Sequence, residues 1–344
     1  MKILFWGTPA YAVPTLQALI KAGHTVVGVV SQPDRRRGRG KQLMPSAVKD
    51  AALALDLPVY TPEKIKQDAA CVDQLASLGA DVSVVVAFGQ ILPKNVLEMT
   101  PLGSWNGHGS LLPRWRGAGP IQWALLEGDG ETGVGIMAME EGLDTGPVLL
   151  EEKVAIGLHD NASVLSERLS QLTAELMVKS MPLIEAAGRG HEPERLQRLG
   201  VSHQGDGSCY ARMLQKDDFQ IDWNQSALTI HRKVMGLYPA ASTRWNGKRL
   251  KIFRTEPLIR RLSDQLSTAA TTLTERWGLE AGIPSTQTIA PGTVLEVVPE
   301  HGLVVASKGC PLLIREAQLE GKKKSSGAQL LQQLQAETGD QLGH

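Results

Sequence analysis

The first half of the chain alternates short apolar runs with segments whose apolar residues recur at helical spacing. Short apolar runs bounded by turn residues predict buried strands, and a spacing of three to four residues predicts helices. The predicted strands are 2–6, 25–30 and 82–87, and the predicted helices are 11–22, 47–55 and 72–78. Strands that alternate with helices indicate an α/β fold with a parallel sheet. Such sheets bind ligands outside the carboxyl ends of their strands.

The pattern changes in the second half of the chain. A polar stretch rich in Gly, 190–208, predicts a linker. Beyond it lie two segments, 219–223 and 228–237. Short strand-like segments then follow without helices between them, at 243–245, 249–253, 293–298, 303–306 and 312–314. Turn pairs such as Asn246-Gly247 separate these segments. We therefore expect a small β-barrel after the linker.

These patterns divide the 344 residues into two domains. The predicted organisation begins with a catalytic α/β domain at 1–189, into which a basic loop at 33–46 is inserted. The linker at 190–208 follows, and after it come a barrel domain at 209–330 and a tail at 331–344. The segment from about 258 to 290 is polar, rich in Ser and Thr, and poor in periodicity. We expect a surface insertion there.

Composition narrows the class of protein. Lys and Arg number 36, as do Asp and Glu, so the net charge is zero and RNA binding requires local basic patches. Three widely spaced cysteines without a Cys-x-x-Cys pair fit a reducing compartment and give no zinc signature. The first apolar run stops at Gly7, too early for a signal peptide. We expect a cytoplasmic protein with no metal and no membrane partner. Nothing indicates an obligate oligomer, so a monomer is expected.

Two regions concentrate positive charge. Five cations lie within seven residues of the basic loop: Arg35, Arg36, Arg37, Arg39 and Lys41. From 212 to 254, nine cations face three anions, an excess of six. Three lysines follow at 322–324. Such patches suit a phosphate backbone, although runs of charge are often only solvated faces.

Three side chains are candidates for catalysis. Asn106 and His108 follow an extended region, and Asp144 follows a strand-like run at 133–139. An amide, an imidazole and a carboxylate at strand ends can share one crevice. If an amine attacks a formyl carbon, Asn106 and a protonated His108 can donate to the developing oxyanion, each donor lowering the barrier by about 2.7–4 kcal/mol. Asp144 would orient His108 and help to take the amine proton, directly or through water.

Taken singly, these three residues are more typical of loop, turn or capping positions than of catalysis. Residue chemistry alone therefore leaves an α/β enzyme of unknown reaction. The joint pattern is more specific. Asn-x-His-x-Ser-Leu-Leu-Pro at 106–113, followed by Arg116-Gly117, resembles the hallmark of folate-dependent formyltransferases, and Gly-Leu-Asp-Thr-Gly at 142–146 resembles their second motif.

The resemblance implies that Asn106, His108 and Asp144 are catalytic. It also implies a folate site beside the first motif. Residues 88–92 resemble another segment of the family's folate pocket. The implied folate contacts are Phe88, Gly89, Gln90, Ile91, Leu92, Ser110, Leu111, Leu112, Pro113 and Gly142. Its fold would be a Rossmann-like catalytic domain followed by an OB-like barrel that binds tRNA.

Along nearly the whole chain the resemblance is to family members that formylate the methionine of initiator tRNA. It implies 10-formyltetrahydrofolate as the donor, the amino group of methionyl initiator tRNA as the acceptor, and N-formylmethionyl-tRNA for translation initiation as the product. The implied tRNA contacts are Arg35, Arg36, Arg37, Arg39, Lys41, Arg212, Lys248, Arg249, Lys251, Lys322, Lys323 and Lys324. The alternatives are a small-amine acceptor (glycinamide ribonucleotide or an amino sugar), a formyl-folate hydrolase, and an RNA-binding protein without catalysis.

The sequence departs from the family pattern at four places. Gly107 stands where a branched apolar residue is usual, so we expect a looser strand end. Gly135 stands where Thr is common. The family's Asn-Pro-Trp-Pro segment appears as Gly-Leu-Tyr-Pro at 236–239, and 258–290 has no counterpart.

Overall fold

The computed structural model describes residues 1–37, 42–278 and 289–343. By contacts it divides into two compact units. The first unit comprises Met1–Ile121, Glu131–Ala155 and Leu165–Met213. The second comprises Gln122–Gly130, Ile156–Val164 and the chain from Leu214 onward.

Residues 1–213 form a succession of strands and helices. In chain order they are β1 (Lys2–Gly7), α1 (Val13–Lys21), β2 (Thr25–Val30), β3 (Arg35–Arg37), β4 (Gln42–Met44), α2 (Ala47–Leu53), β5 (Val59–Tyr60), α3 (Ala69–Ser77), β6 (Val82–Val86), α4 (Lys94–Leu97), β7 (Ser104–His108), β8 (Arg116–Gly117), α5 (Pro120–Glu127), β9 (Glu131–Ala138), β10 (Val148–Ala155), α6 (Ala162–Ala187), α7 (Glu192–Leu199) and β11 (Tyr210–Ala211).

The first unit is built on a seven-stranded sheet in the order β10-β9-β7-β6-β1-β2-β5. The strands from β7 to β5 run parallel, whereas β9 is antiparallel to β7 and β10 to β9. Residues 3–6 of β1 are all fully buried, as expected of a central parallel strand that is covered on both faces. The predicted α/β parallel sheet is confirmed, and the carboxyl ends of β1, β6 and β7 lie along one edge.

The predicted elements match closely in this unit. The strands predicted at 2–6, 25–30 and 82–87 are confirmed as β1, β2 and β6. The helix predicted at 72–78 begins earlier, at Ala69, because the carboxylate of Asp68 accepts a hydrogen bond from Cys71 N at 3.0 Å and caps it.

The remaining elements belong to the second unit. They are α8 (Ala227–Gly236), β12 (Ser242–Trp245), β13 (Lys248–Pro257), α9 (Thr268–Trp277), β14 (Val294–Val298), β15 (Gly302–Val305), β16 (Leu312–Leu319), β17 (Ser325–Ser326) and α10 (Gly327–Leu334). Their sheet is mostly antiparallel, in the order β12-β13-β16-β15-β14, with β17 paired to β16. The turn predicted at Asn246-Gly247 is confirmed, with φ of +48° and +74°.

The end of the chain contributes to this sheet. Val294 N donates to Asp340 O at 2.8 Å, and Gly343 N donates to Arg244 O at 3.0 Å. The C-terminal segment therefore bonds to β14 on one side and to β12 on the other, and Leu342 is buried. Residues 331–344 therefore differ from the predicted tail, because the backbone groups of this segment pair with both outer strands of the sheet.

The segment predicted as a surface insertion, 258–290, differs as well. It contains α9, whose buried residues Ala270, Leu273 and Thr274 recur at helical spacing. Ser267 caps this helix by accepting from Ala270 N, and the apolar face packs against the sheet. A composition rich in Thr obscured the helical period. Residues 279–288 of this segment lie outside the described ranges.

The predicted linker, 190–208, contains α7 and returns to the first unit. Ser202 and Val148 exchange two backbone hydrogen bonds of 2.9 Å each. Farther along, β11 pairs in parallel with β8. The first unit therefore extends past 209, where the second domain was predicted to begin.

Candidate active site

The three candidate catalytic side chains converge at the carboxyl edge of the sheet. Asn106 and His108 occupy alternate positions on β7, so their side chains project to one face. Asp144 lies in the loop between β9 and β10. Its Oδ1 is 3.5 Å from Asn106 Nδ2, and its Oδ2 is 3.7 Å from His108 Nδ1. The structure thus brings an amide, an imidazole and a carboxylate together in a largely buried place.

The carboxylate of Asp144 is fixed by a backbone donor. Gly117 N donates to Asp144 Oδ2 at 2.7 Å, a short charge-assisted bond. Gly117 has φ of +110°, and a Cβ atom there would lie 2.9 Å from Ala211 O. Glycine is therefore required at this position both for its conformation and for the close approach of β11.

The imidazole of His108 is held by a carbonyl group. His108 Nε2 lies 2.9 Å from Trp115 O. Because a carbonyl oxygen only accepts, Nε2 carries a proton and Nδ1 is the nitrogen that faces Asp144. The 3.7 Å separation is too long for a direct hydrogen bond. Catalytic contacts of this kind often tighten only when substrate binds.

The strand that carries both residues is tightly packed at Gly107. A Cβ atom there would lie 2.5 Å from Thr173 Cγ2 of α6. Thr173 is itself anchored, with its hydroxyl 2.7 Å from that of Tyr11 and 2.8 Å from Leu169 O. The expected looser strand end is therefore not found, because the helix fills the space that a branched side chain would occupy. Burial raises the pKa of Tyr11 to about 12, although the Thr173 hydrogen bond lowers it, so this hydroxyl stays protonated.

The predicted folate residues at 88–92 follow β6 and divide into two groups. Phe88 O accepts from Thr8 Oγ1 at 2.7 Å, and Ile91 is 76% exposed. Gln90 and Leu92 serve the fold: Gln90 Oε1 accepts from Ile65 N at 2.9 Å, and Leu92 lies in the core. Phe88 is 2% exposed and lies in the same core as Leu92, so Gly89 and Ile91 are the members of this segment whose placement leaves them most available to a ligand.

The predicted folate residues at 110–113 follow β7, the neighbour of β6. Ser110 Oγ donates to Arg114 O at 2.6 Å, which holds the turn. Leu112 is buried and joined to Pro113 by a cis peptide bond, whereas Leu111 is half-buried. Gly142 is exposed, two residues before Asp144.

The predicted tRNA contacts in the first unit lie mainly on a hairpin. In this hairpin β3 pairs antiparallel with β4, so that Arg35 is opposite Met44 and Arg36 is opposite Leu43. Both arginines are exposed. Arg37 ends β3, and Arg39 and Lys41 lie outside the described residues. Arg212 is exposed in the segment after β11, and its Nη1 donates to Met213 O at 3.1 Å.

The remaining predicted tRNA contacts lie in the second unit. Lys248, Arg249, Lys322 and Lys323 are exposed, and Lys251 is half-buried. Lys324 differs from these cations. Its Nζ is 2.6 Å from Glu316 Oε2 and 5.2 Å from the Phe253 ring centroid.

Sequence reasoning missed several groups at the site. Trp115 contributes a carbonyl oxygen, and Gln204 contributes an amide that bonds to the main chain of Asp144 at 2.8 Å. Neither contact has a sequence signal, because one depends on the fold of a turn and the other on a distant polar stretch. Gly117 was visible only as part of the motif.

Across the described ranges, no three His, Cys, Asp or Glu side chains are grouped closely enough to hold a metal ion. Within the same ranges, every helix is too short or too polar to span a lipid bilayer.

Comparison with known proteins defines the class first. A family model described as "Formyl transferase" matches residues 1–181, and one described as "Formyl transferase, C-terminal domain" matches residues 213–335. A Synechococcus protein named "Methionyl-tRNA formyltransferase" is 68% identical over 343 residues, covering 100% of this chain and 99% of its own. A Prochlorococcus marinus protein of the same name is 58% identical, covering 99% and 98%. The chain belongs to the methionyl-tRNA formyltransferase family.

Solved structures share the fold at low identity. An N-formyltransferase from Helicobacter canadensis, in complex with folinic acid and dTDP-3-aminofucose, matches with a TM-score of 0.58 at 15% identity. The match covers 91% of this chain and 98% of that one. HypX from Aquifex aeolicus, in complex with tetrahydrofolic acid, gives a TM-score of 0.58 at 14% identity, covering 99% of this chain and 48% of that one.

Proposed function

We propose that this enzyme transfers the formyl group of 10-formyltetrahydrofolate to the amino group of methionyl initiator tRNA. The product would be N-formylmethionyl-tRNA for translation initiation. The observation that carries the proposal is the convergence of Asn106, His108 and Asp144, in a chain so similar to proteins named for this reaction.

Each of the three side chains has a role that its contacts support. The bound folate supplies the formyl carbon. Asp144, fixed by Gly117 N, is the group that accepts the proton of the attacking amine. The leaving nitrogen of the folate takes up one proton as its bond to the formyl carbon breaks, and tetrahydrofolate departs. His108 is held in one orientation by Trp115 O, with Nδ1 directed to the carboxylate. The Asn106 amide bonds only weakly at 3.5 Å, so its N–H remains available to an oxyanion.

The folate site is proposed at the same edge of the sheet. Residues 88–92 follow β6 and residues 110–113 follow β7, and these strands are neighbours. Gly89 has φ of +88°, and a Cβ atom there would find only Gln32 Nε2 within 4 Å, at 3.7 Å. This open position beside an exposed Ile91 suits a flat, partly apolar ligand. The predicted contacts Gln90, Leu92 and Ser110 would then act by shaping the pocket.

The second unit is proposed to be an OB-like barrel that binds tRNA. Its outer strands β12 and β14 are both bonded to the C-terminal segment, which supports closure of the sheet. On β13, Arg249 lies directly opposite Arg244 of β12. Like charges at such positions repel each other, and a phosphate would relieve the repulsion. The hairpin arginines of the first unit, Arg35 and Arg36, would provide a second contact.

The expectations of a cytoplasmic, monomeric enzyme remain predictions. Size-exclusion chromatography with light scattering measures the molar mass, and hence the oligomeric state, at the protein concentrations used in the assays.

The proposed function is tested by acceptor choice. The wild-type chain is incubated with labelled 10-formyltetrahydrofolate and, in parallel, methionyl initiator tRNA, free methionine or an amino sugar nucleotide. We expect label on the tRNA-bound methionine, at a kcat/KM exceeding that of each small amine by at least about 10³ because binding of the tRNA body contributes. Label on a small amine, or formate released without an acceptor, would reject the tRNA assignment.

A further inference from the structure

The side chain of Gln204, in the stretch between α7 and β11, uses all of its hydrogen-bonding capacity within the first unit. Its Oε1 accepts from Arg116 Nε at 3.0 Å and from Arg116 Nη2 at 2.7 Å. Its Nε2 donates to Asp144 O and to Gly146 O, both at 2.8 Å. A primary amide has two donors and two acceptor lone pairs, so every one is engaged.

We infer that Gln204 is a positioning residue that sets the direction of the Asp144 carboxylate for the proposed formyl transfer, on which this inference rests. Asp144 has φ of +53°, a left-handed conformation that is strained for a non-glycine residue. Such a conformation persists only where its surroundings impose it. Gln204 fixes the carbonyl side of Asp144, and Gly117 N fixes the carboxylate side.

The same amide connects the two motifs of the site. Arg116, which donates to Gln204, begins β8, and its backbone N donates to Cys209 O at 2.9 Å. The preceding residue, Trp115, donates its N–H to Cys209 Sγ at 3.3 Å and accepts from His108. The stretch from Gln204 to β11 therefore holds the loop that orients the imidazole as well as the loop that carries the carboxylate.

The chemistry requires an amide at this position. Glutamate has the shape of glutamine and still accepts from Arg116. It would, however, place a carboxylate oxygen where Gln204 Nε2 now donates to Asp144 O and Gly146 O. An acceptor facing two carbonyl oxygens leaves all three without a donor and repels them. Gln204→Glu thus disturbs the main chain of Asp144 while altering the volume of the side chain very little.

The test compares Gln204→Glu and Gln204→Leu with the matched control Gln197→Glu, an exposed position on α7. Steady-state formylation of methionyl-tRNA is measured below the unfolding range of every variant. We expect both Gln204 variants to lose kcat by about 10- to 100-fold, while KM for folate and for tRNA changes by less than about twofold. The control should match wild type. Unchanged kcat in both Gln204 variants, or a rise in KM in place of the fall in kcat, would overturn the inference.

A second measurement separates positioning from a general role in folding. In an Asp144→Asn background, single-turnover transfer of labelled formyl is compared with and without Gln204→Glu. Because Gln204 acts through Asp144, we expect less than about twofold further loss, whereas independent effects would multiply. A repeated 10- to 100-fold loss would remove the positioning role. If wild type itself fails to formylate tRNA, the proposed function fails. If wild type is active and Gln204→Glu is equally active, only this inference fails.

Discussion

Contacts on two sides hold Asp144 of the first unit, whereas the cations Lys248 and Arg249 on β13 of the second unit are exposed. Gly117 N donates a hydrogen bond to the carboxylate of Asp144, and the Gln204 amide donates one to its carbonyl oxygen. The Asp144 side chain is 14% exposed. Lys248 and Arg249 stand exposed on a strand. Chemistry at one carbon needs positions accurate to a fraction of an ångström, whereas attraction to a phosphate backbone tolerates variation. Single substitutions should therefore be severe around Asp144 and graded among the cations of β13.

The largest effect is expected at Asp144. In Asp144→Asn the proposed proton acceptor is lost while the shape is kept, so kcat should fall by about 10² to 10⁴. Direct binding of tRNA, measured by filter retention, should stay within about twofold of wild type because the basic positions are untouched. The matched control is Asp206→Asn, an exposed position in the first unit. A comparable loss of kcat in both variants would show that kcat depends on negative charge in general and not on the carboxylate of Asp144.

The second prediction concerns a buried group in the second unit. Burial lowers the pKa of His231 to about 4, from an ordinary value of 6.5, while its neutral ring lies 2.7 Å from Leu158 O and 2.9 Å from Thr255 Oγ1. The folded pKa is depressed, so the unfolded chain binds the extra proton. Stability is therefore full above pH 6.5 and declines as pH falls towards 4, by roughly 3 kcal/mol in total.

Urea unfolding at pH 7, 6 and 5 measures this decline. We expect the slope of unfolding free energy against pH to flatten in His231→Gln, while the exposed control His203→Gln keeps the wild-type slope. An identical slope in His231→Gln would show that this imidazole does not govern the acid sensitivity. A flattened slope in His231→Gln would assign this part of the sensitivity to pH to a residue of the second unit.

The third prediction concerns packing against β7, the strand that carries Asn106 and His108. Gly107→Val places new atoms against Thr173, whose Cγ2 would be 2.5 Å from the added Cβ. Overpacking of this kind costs about 1–3 kcal/mol of unfolding free energy. Adding Thr173→Ala should restore part of that loss by opening the space. Gly205→Val is the control, because nothing lies within 4 Å of a Cβ there. Equal stability of Gly107→Val and wild type would mean that α6 moves aside freely.

The smallest effect is expected from single cations of the second unit. In Arg249→Ser, the slope of log affinity for tRNA against log salt should fall by about one, and KM for folate should not change. Lys66→Ser, an exposed cation of the first unit outside the predicted contacts, serves as the control. A salt slope equal to wild type would remove Arg249 from the proposed interface.

The sequence predicted the first unit better than the second for a physical reason. Strands β1, β2 and β6 are continuous apolar runs because both faces of a parallel sheet are covered, and such runs are visible locally. The two motifs together indicated Asn106, His108 and Asp144 as a set. Their positions at strand ends alone do not predict the convergence, because β9 runs antiparallel to β7. Helix α9 was missed because its many Thr residues masked the period of its buried positions. The pairing of the C-terminal segment depends on partners about 50 and 100 residues away. Gln204 was missed because its four bonds exist only in the folded loop.

We propose that the imidazole of His108 and the carboxylate of Asp144 act together at one reacting carbonyl carbon. The most direct test measures kcat for Asp144→Asn, for His108→Gln and for the two combined, with methionyl initiator tRNA as acceptor. If the two groups work as one unit, the double variant should be no more than about threefold slower than the worse single variant. If the two losses multiply in the double variant, the side chains contribute independently, and the account of a shared catalytic site is contradicted.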